Sequence, residues 1–149
     1  MTSPHKAART MLIATLDADP TIQSMLLIPD TVDQYKTFGA HVDPTIYNPY
    51  VVVQRYGGGL DNDAQSQAAD MLWTVCGYTL EDEQLAEDLQ EAIYNALNKK
   101  MPPAGIVSDW EAYHWIEEVW PYEDRDMRNN RPFFEKGAVY RIKIAECAG

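Results

Sequence analysis

The chain is poor in the residues on which protein chemistry most often rests. Its 149 residues include only two cysteines and three histidines. Cys76 lies in an apolar stretch and Cys147 near the C-terminal end, a spacing that matches no disulfide framework; two reduced thiols are the expectation. His5, His41 and His114 are far apart, and none has a metal-ligand spacing. His114 stands in a tryptophan-rich stretch and reads as a buried or interface histidine rather than a ligand or base. Positive charge is scarce too: 12 Lys and Arg face 23 Asp and Glu, a net charge of −11. That balance argues against a protein built to grip phosphate backbones, where Lys and Arg neutralise the phosphates, and against docking on anionic membranes. It suits a soluble protein, or one that sits near nucleic acid without adhering to it. No apolar run approaches the roughly 20 residues of a membrane span. The opening MTSPHKAART has basic residues but no apolar segment behind them, so a secretory leader is not expected.

Motifs that carry catalysis or cofactors are missing as well. Gly57-Gly58-Gly59 is not followed by the Gly-Lys-Ser/Thr of a phosphate loop, and a dinucleotide fingerprint needs glycine where Asn62 stands. A flexible hairpin loop is the better reading. Asp61-Asn62-Asp63 hints at calcium, but an EF-hand loop then wants glycine and glutamate where Ser66 and Leu72 stand. There is no Gly-x-Ser-x-Gly and no His-Glu-x-x-His. Glu117 and Glu118 are adjacent in a predicted strand and point to opposite faces, so they make no catalytic carboxylate pair. No enzymatic activity, cofactor or metal is expected from these residues. Whatever the chain does must come from its shape and surface.

What is present is a clear pattern of elements. With 46% hydrophobic residues the chain is globular, and its length fits one domain over residues 1–149. Ser3-Pro4 predicts a helix start, and Ala8, Met11, Leu12, Thr15 and Leu16 continue an amphipathic helix over residues 4–17. Asp19-Pro20 restarts the pattern for a short second helix with Ile22, Met25 and Leu26 inward, or a short strand near residues 25–28. Residues 31–48 read as a loop held down by Tyr35, Phe38 and Tyr47. The β-branched run Tyr50-Val51-Val52-Val53-Gln54-Arg55-Tyr56 and the apolar run over residues 68–78 read as two strands joined by a long polar, glycine-rich loop.

The best-marked helix follows, over residues 80–99. Thr79 is its expected N-cap, Glu81, Asp82 and Glu83 fill the first turn, and Lys99 and Lys100 close the last. Its Leu85, Leu89, Ile93 and Leu97 stripe should lie on a sheet. Pro102-Pro103 stops it. A third strand is expected over residues 107–120, holding Trp110, Trp115 and Trp120. Neither of its faces is cleanly polar, which suggests a bulge or a strand covered on both faces, one of them by a partner. Residues 122–136 read as a charged connection, a solvated loop or an intersubunit salt-bridge patch carrying Arg125, Arg128 and Arg131. The last strand is expected over residues 138–147. This order gives an α+β fold: a two-layer sandwich with a mainly antiparallel sheet of about four strands and helices packed on one face.

Taken in order, these features resemble the phage tail terminator family, the tail completion or tail-to-head joining proteins of long-tailed phages. The likeness rests on the N-terminal amphipathic helix, the aromatic Ile46-Tyr47 loop, and the run Pro49-Tyr50-Val51-Val52-Val53-Gln54. It continues through the strand Trp73 to Tyr78, the helix segment Ala86 to Leu97 with its Ala/Leu spacing, and the final strand from Val139 to Ile144. The resemblance implies a structural virion protein at the tail-head junction, made in the host cytoplasm. It implies a homo-oligomeric ring, usually of six, that caps the tail tube, stops its polymerisation and offers a docking surface to the head completion or connector protein. Double-stranded DNA passes through such a ring without specific binding, and no membrane is involved. A ring needs heterologous interfaces; Trp110, Tyr113, Trp115 and Trp120, with Arg125, Arg128 and Arg131, are the candidates, since Trp, Tyr and Arg are enriched at interface centres. The loop with Gly57, Gly58, Gly59, Asp61 and Asp63 is the candidate tube contact. Two other readings remain: another head-tail neck protein, or a small-molecule-binding α+β domain with a tryptophan-lined pocket.

Overall fold

A computed structural model of the chain describes residues 3–26, 37–38, 48–60, 68–103, 105–128 and 130–147. Helix α1 (Pro4–Asp17) starts where its sequence says. The Ser3 hydroxyl accepts the Lys6 amide hydrogen bond at 3.2 Å, and Pro4 occupies the first turn. Its inward stripe is Ala7, Ala8, Met11, Leu12, Thr15 and Leu16. Helix α2 (Pro20–Leu26) buries Ile22, Gln23 and Leu26, and the Asp19 carboxylate accepts the Ile22 amide at 3.0 Å. Met25 therefore belongs to a helix and not to a strand; residues 27 and 28 lie outside the described residues.

The described strands form one seven-stranded sheet. They are β1 (Thr37–Phe38), β2 (Tyr50–Leu60), β3 (Ala68–Leu80), β4 (Ile106–Val107), β5 (Trp110–Ala112), β6 (Glu117–Arg128) and β7 (Arg131–Glu146). The path runs β1-β2-β3-β7-β5-β4, with β6 also paired to β7. Only β1 and β2 are parallel; every other pairing is antiparallel. Long β7 meets β3 along one side and shares its other side between β6 and β5. The fold is α+β with helices on one face, as expected, but richer in strands than the four anticipated.

Alternation decides which face is which. Val51, Val53, Met71, Trp73, Val75, Tyr140, Ile142 and Ile144 point to the helices and form the main core with α1, α2 and α3 (Glu83–Leu97). Each such large side chain contributes about 1.5–3 kcal/mol when removed from water. Helix α3 lies so close that a Cβ on Gly77 would stand 2.7 Å from the Leu89 Cβ. The opposite face carries a smaller cluster of Tyr50, Val52, Cys76, Tyr78, Leu80 and Phe133, with the Tyr50 and Tyr78 rings stacked at 5.0 Å. This face is concave. Tyr56 of β2 and Trp120 of β6 are separated by β3 and β7, about 14 Å in a flat sheet, yet their rings meet edge-on at 5.2 Å. Bulges beside both residues, between Arg55 and Gly57 and between Glu118 and Trp120, bend the sheet to bring them together.

Six expectations are corrected. Helix α3 spans Glu83–Leu97, not residues 80–99, because Leu80 still belongs to β3 and Glu81 turns the chain at φ 60°. Its N-cap is Asp82, whose carboxylate accepts the Leu85 amide at 2.9 Å, while Thr79 donates its hydroxyl to the Asp82 carbonyl. Lys99 and Lys100 lie beyond the helix and bond to Ile116 instead. Gly57, Gly58 and Gly59 are not loop residues; they continue β2 and pair with β3 as far as Leu60 opposite Ala69. The strand expected over residues 107–120 is three pieces, β4, β5 and the start of β6. The charged connection of residues 122–136 is no connection: it is the outer part of a long β6–β7 hairpin, closed where Asn130 takes φ 60°.

Candidate functional site

Among the described residues, β6 stands out as an open surface. It is a twelve-residue strand at the margin of the sheet, paired on one side to β7, with no partner on the other among the described residues. Most of it is exposed on both faces. Long open edges are templates for pairing with another chain, and proteins blunt them with charge and proline. Here Glu117, Glu118, Glu123, Asp124 and Asp126 supply the charge and Pro121 the break.

The candidate interface residues divide around this strand. Trp110 is a core residue on β5, 2% exposed, and has no free ring to offer a partner. Tyr113, Trp115 and Trp120 are exposed, at 53%, 47% and 38%. Trp115 sits in the link between β5 and β6, where its indole N–H donates to Glu117 at 2.6 Å; that bond holds the Glu117 carboxyl below its usual pKa. Trp120 packs on Tyr56 across the concave face. The three arginines cluster at the hairpin end, each engaged within the chain. Arg125 lies over the Phe134 ring and Arg128 over Phe133, both at 5.4 Å. Arg128 also pairs with Asp126 at 2.8 Å, and Arg131 grips Glu81 through two bonds of 2.8 and 3.2 Å. That pairing raises the Arg131 pKa and lowers that of Glu81. The remaining candidates, Asp61 and Asp63, lie outside the described residues.

Sequence reasoning missed a groove of about 520 Å³ between α3 and β6. Glu87, Glu91, Glu118 and Glu123 line it, and Tyr94 and Tyr140 form part of its wall. No tryptophan is among its lining residues. Burial raises the Tyr140 hydroxyl pKa, and the nearby Glu118 charge adds to the effect. At one end Lys136 is ringed by Glu87 at 3.2 Å, Glu83 at 3.5 Å and Glu123 at 3.9 Å. Burial opposes its charge, but the Glu87 hydrogen bond and the three carboxylates outweigh it and hold the ammonium pKa above the usual lysine value. The signal for this groove was in the sequence: Glu83, Glu87 and Glu91 recur every four residues on one face of α3. Its other wall was hidden in the misread strand. Among the described residues no group of three or more His, Cys, Asp or Glu is placed to hold a metal ion, and no helix is long and apolar enough to cross a membrane.

No protein-family model matches the chain, and no curated protein sequence does. The fold, in contrast, recurs among solved structures. It is similar to a chain in a structure described as "Virion of native gene transfer agent (GTA) particle", with a TM-score of 0.71 over 93% of this chain and 95% of that one. Sequence identity is 13%, so the likeness is one of fold.

Proposed function

We propose that this chain is a structural protein of a phage-like virion and, more finely, a tail terminator. In this reading copies of the chain form a ring, six by the family pattern, on the end of a growing tail tube. The ring stops tube polymerisation and presents a docking surface to the head completion or connector protein, and DNA passes through it. The observation that carries the reading is the near end-to-end fold likeness to a chain of a gene transfer agent virion, 93% of one and 95% of the other. Partial overlap would be expected of a common sheet motif; overlap of almost the whole of both chains is expected of the same kind of part. The open edge of β6 and the exposed Tyr113, Trp115 and Trp120 support it, because a ring subunit must offer surface to its neighbours. The role needs no catalytic group, cofactor or metal.

Electron microscopy of assembly products after disruption of this gene tests the reading. Headless tails of abnormal, variable length are expected, since tube growth has lost its stop. Tails of normal length beside unattached heads would move the protein to another part of the neck. Intact, infectious particles would sink the structural reading altogether.

A further inference from the structure

The helix-bearing side of the molecule carries opposite charge on its two flanks. On the α3–β6 flank five carboxylates, Glu83, Glu87, Glu91, Glu118 and Glu123, surround the groove and a single ammonium, Lys136. On the α1–β2 flank, among the described residues, cations gather around the start of α1. Lys6 and Arg9 lie three residues apart on α1, neighbours on its exposed side. The Arg9 guanidinium rests over the Trp73 ring at 5.5 Å, and Arg55 of β2, also exposed, stands opposite Trp73 in the ladder. Arg9 and Arg55 both act electrostatically on His5, which places all three together. Sheet order sets β2, flanked by the short β1 at Val51 and Val52, and β6 on opposite sides of the β3–β7 pair, with α1 over β2 and α3 over β3 and β7. The sheet curls away from the helices, so the two flanks face outward in different directions.

We infer that successive copies of this chain join head to tail, the Lys6–Arg9–Arg55 flank of one copy seated on the acidic α3–β6 groove of the next. The occupant is a second copy because the same chain carries both halves of the match, on opposite sides of one sheet. Two different surfaces meeting in this way make a heterologous contact, which repeats into a ring where the rotation closes. The inference rests on the ring reading above and names its interface. The charge match also answers a problem of that reading: each chain carries a net −11, so copies repel unless their contact places unlike charges together.

Native mass spectrometry and sedimentation of the full chain, over a concentration series at low and high salt, test this with Arg9→Glu, Glu91→Arg and the double variant. The wild type is expected to assemble, and to do so less at high salt. Each single reversal should weaken association about tenfold or more, and the double reversal should recover most of the loss. Arg9 touches Trp73, so Lys6→Glu, also paired with Glu91→Arg, serves as the second set if Arg9→Glu impairs folding by circular dichroism. A wild type that stays monomeric throughout overturns the inference, as do single variants that assemble like the wild type or a double variant no better than the weaker single. Assembly that ignores the swaps sinks the interface and leaves the ring; tails of normal length in the gene disruption sink the terminator reading and leave the assembly result standing.

Discussion

At the scale of residues, close approach matters more than charge. Gly137 on β7 pairs with Cys76 on β3. A Cβ there would overlap the Val75 carbonyl oxygen and stand 2.6 Å from the Cys76 Cα. Both atoms are backbone and belong to central strands, so neither can move aside cheaply. The Gly137 carbonyl also accepts the Gln90 side-chain amide at 2.8 Å, tying α3 to the same point. Gly137→Ala should therefore cost about 3 kcal/mol, read as a lower urea midpoint with unchanged slope; a midpoint like the wild type would mean the strands are not so close. Nothing in the sequence marks this position, because a glycine required by crowding looks the same as one required by a turn. The tryptophans teach the same lesson. Trp110 and Trp120 share a parity in the expected strand, yet one is in the core and the other half exposed. Parity fails once β5 ends at Ala112 and a new strand begins at Glu117.

At the scale of elements, legibility followed burial. α1, β2, β3, α3 and β7 each set one face against the core, and their periodicity showed in the sequence. β6 has little buried surface to impose a period, so residues 122–136 read as a charged connection although they form a regular hairpin. Boundaries depended on local hydrogen bonds that composition only suggests. The sequence marks Thr79 as the N-cap of α3, with Glu81, Asp82 and Glu83 in its first turn. The structure selects Asp82, since Thr79 and Leu80 are held in β3 by their pairing with Phe134 and Phe133. Asp82→Ala should accordingly lower stability by about 1 kcal/mol, the usual worth of an N-cap. In Thr79→Val the amide of Leu85 keeps its acceptor, so the helical circular dichroism signal and its thermal midpoint should fall less than in Asp82→Ala. Equal losses in the two variants would return the cap to Thr79.

At the scale of the molecule, the acid excess was legible from composition, but its arrangement was not. The groove needs α3 and β6 side by side, and that adjacency exists only after β7 has returned to pair with β6. Whole-molecule charge also bears on DNA. In a head-to-tail ring the cations of one flank face the carboxylates of the next copy, which removes that positive flank from any opening. Pairing inside the contacts cannot change the sum, so each added copy still brings 11 more negative than positive charges. Tight binding of a polyanion needs several Lys or Arg set against phosphates, with counterion release that makes affinity fall steeply with salt. The assembled protein should therefore not retain duplex DNA, even at low ionic strength, where surface electrostatics reach furthest. A gel-retardation series with duplexes, run from low to physiological salt, checks this. Retardation at low salt that fades with a steep slope would mean that Arg and Lys line the opening and are not sequestered between copies. That result would contradict both an unhindered passage for DNA and the use of Lys6, Arg9 and Arg55 in the subunit contact.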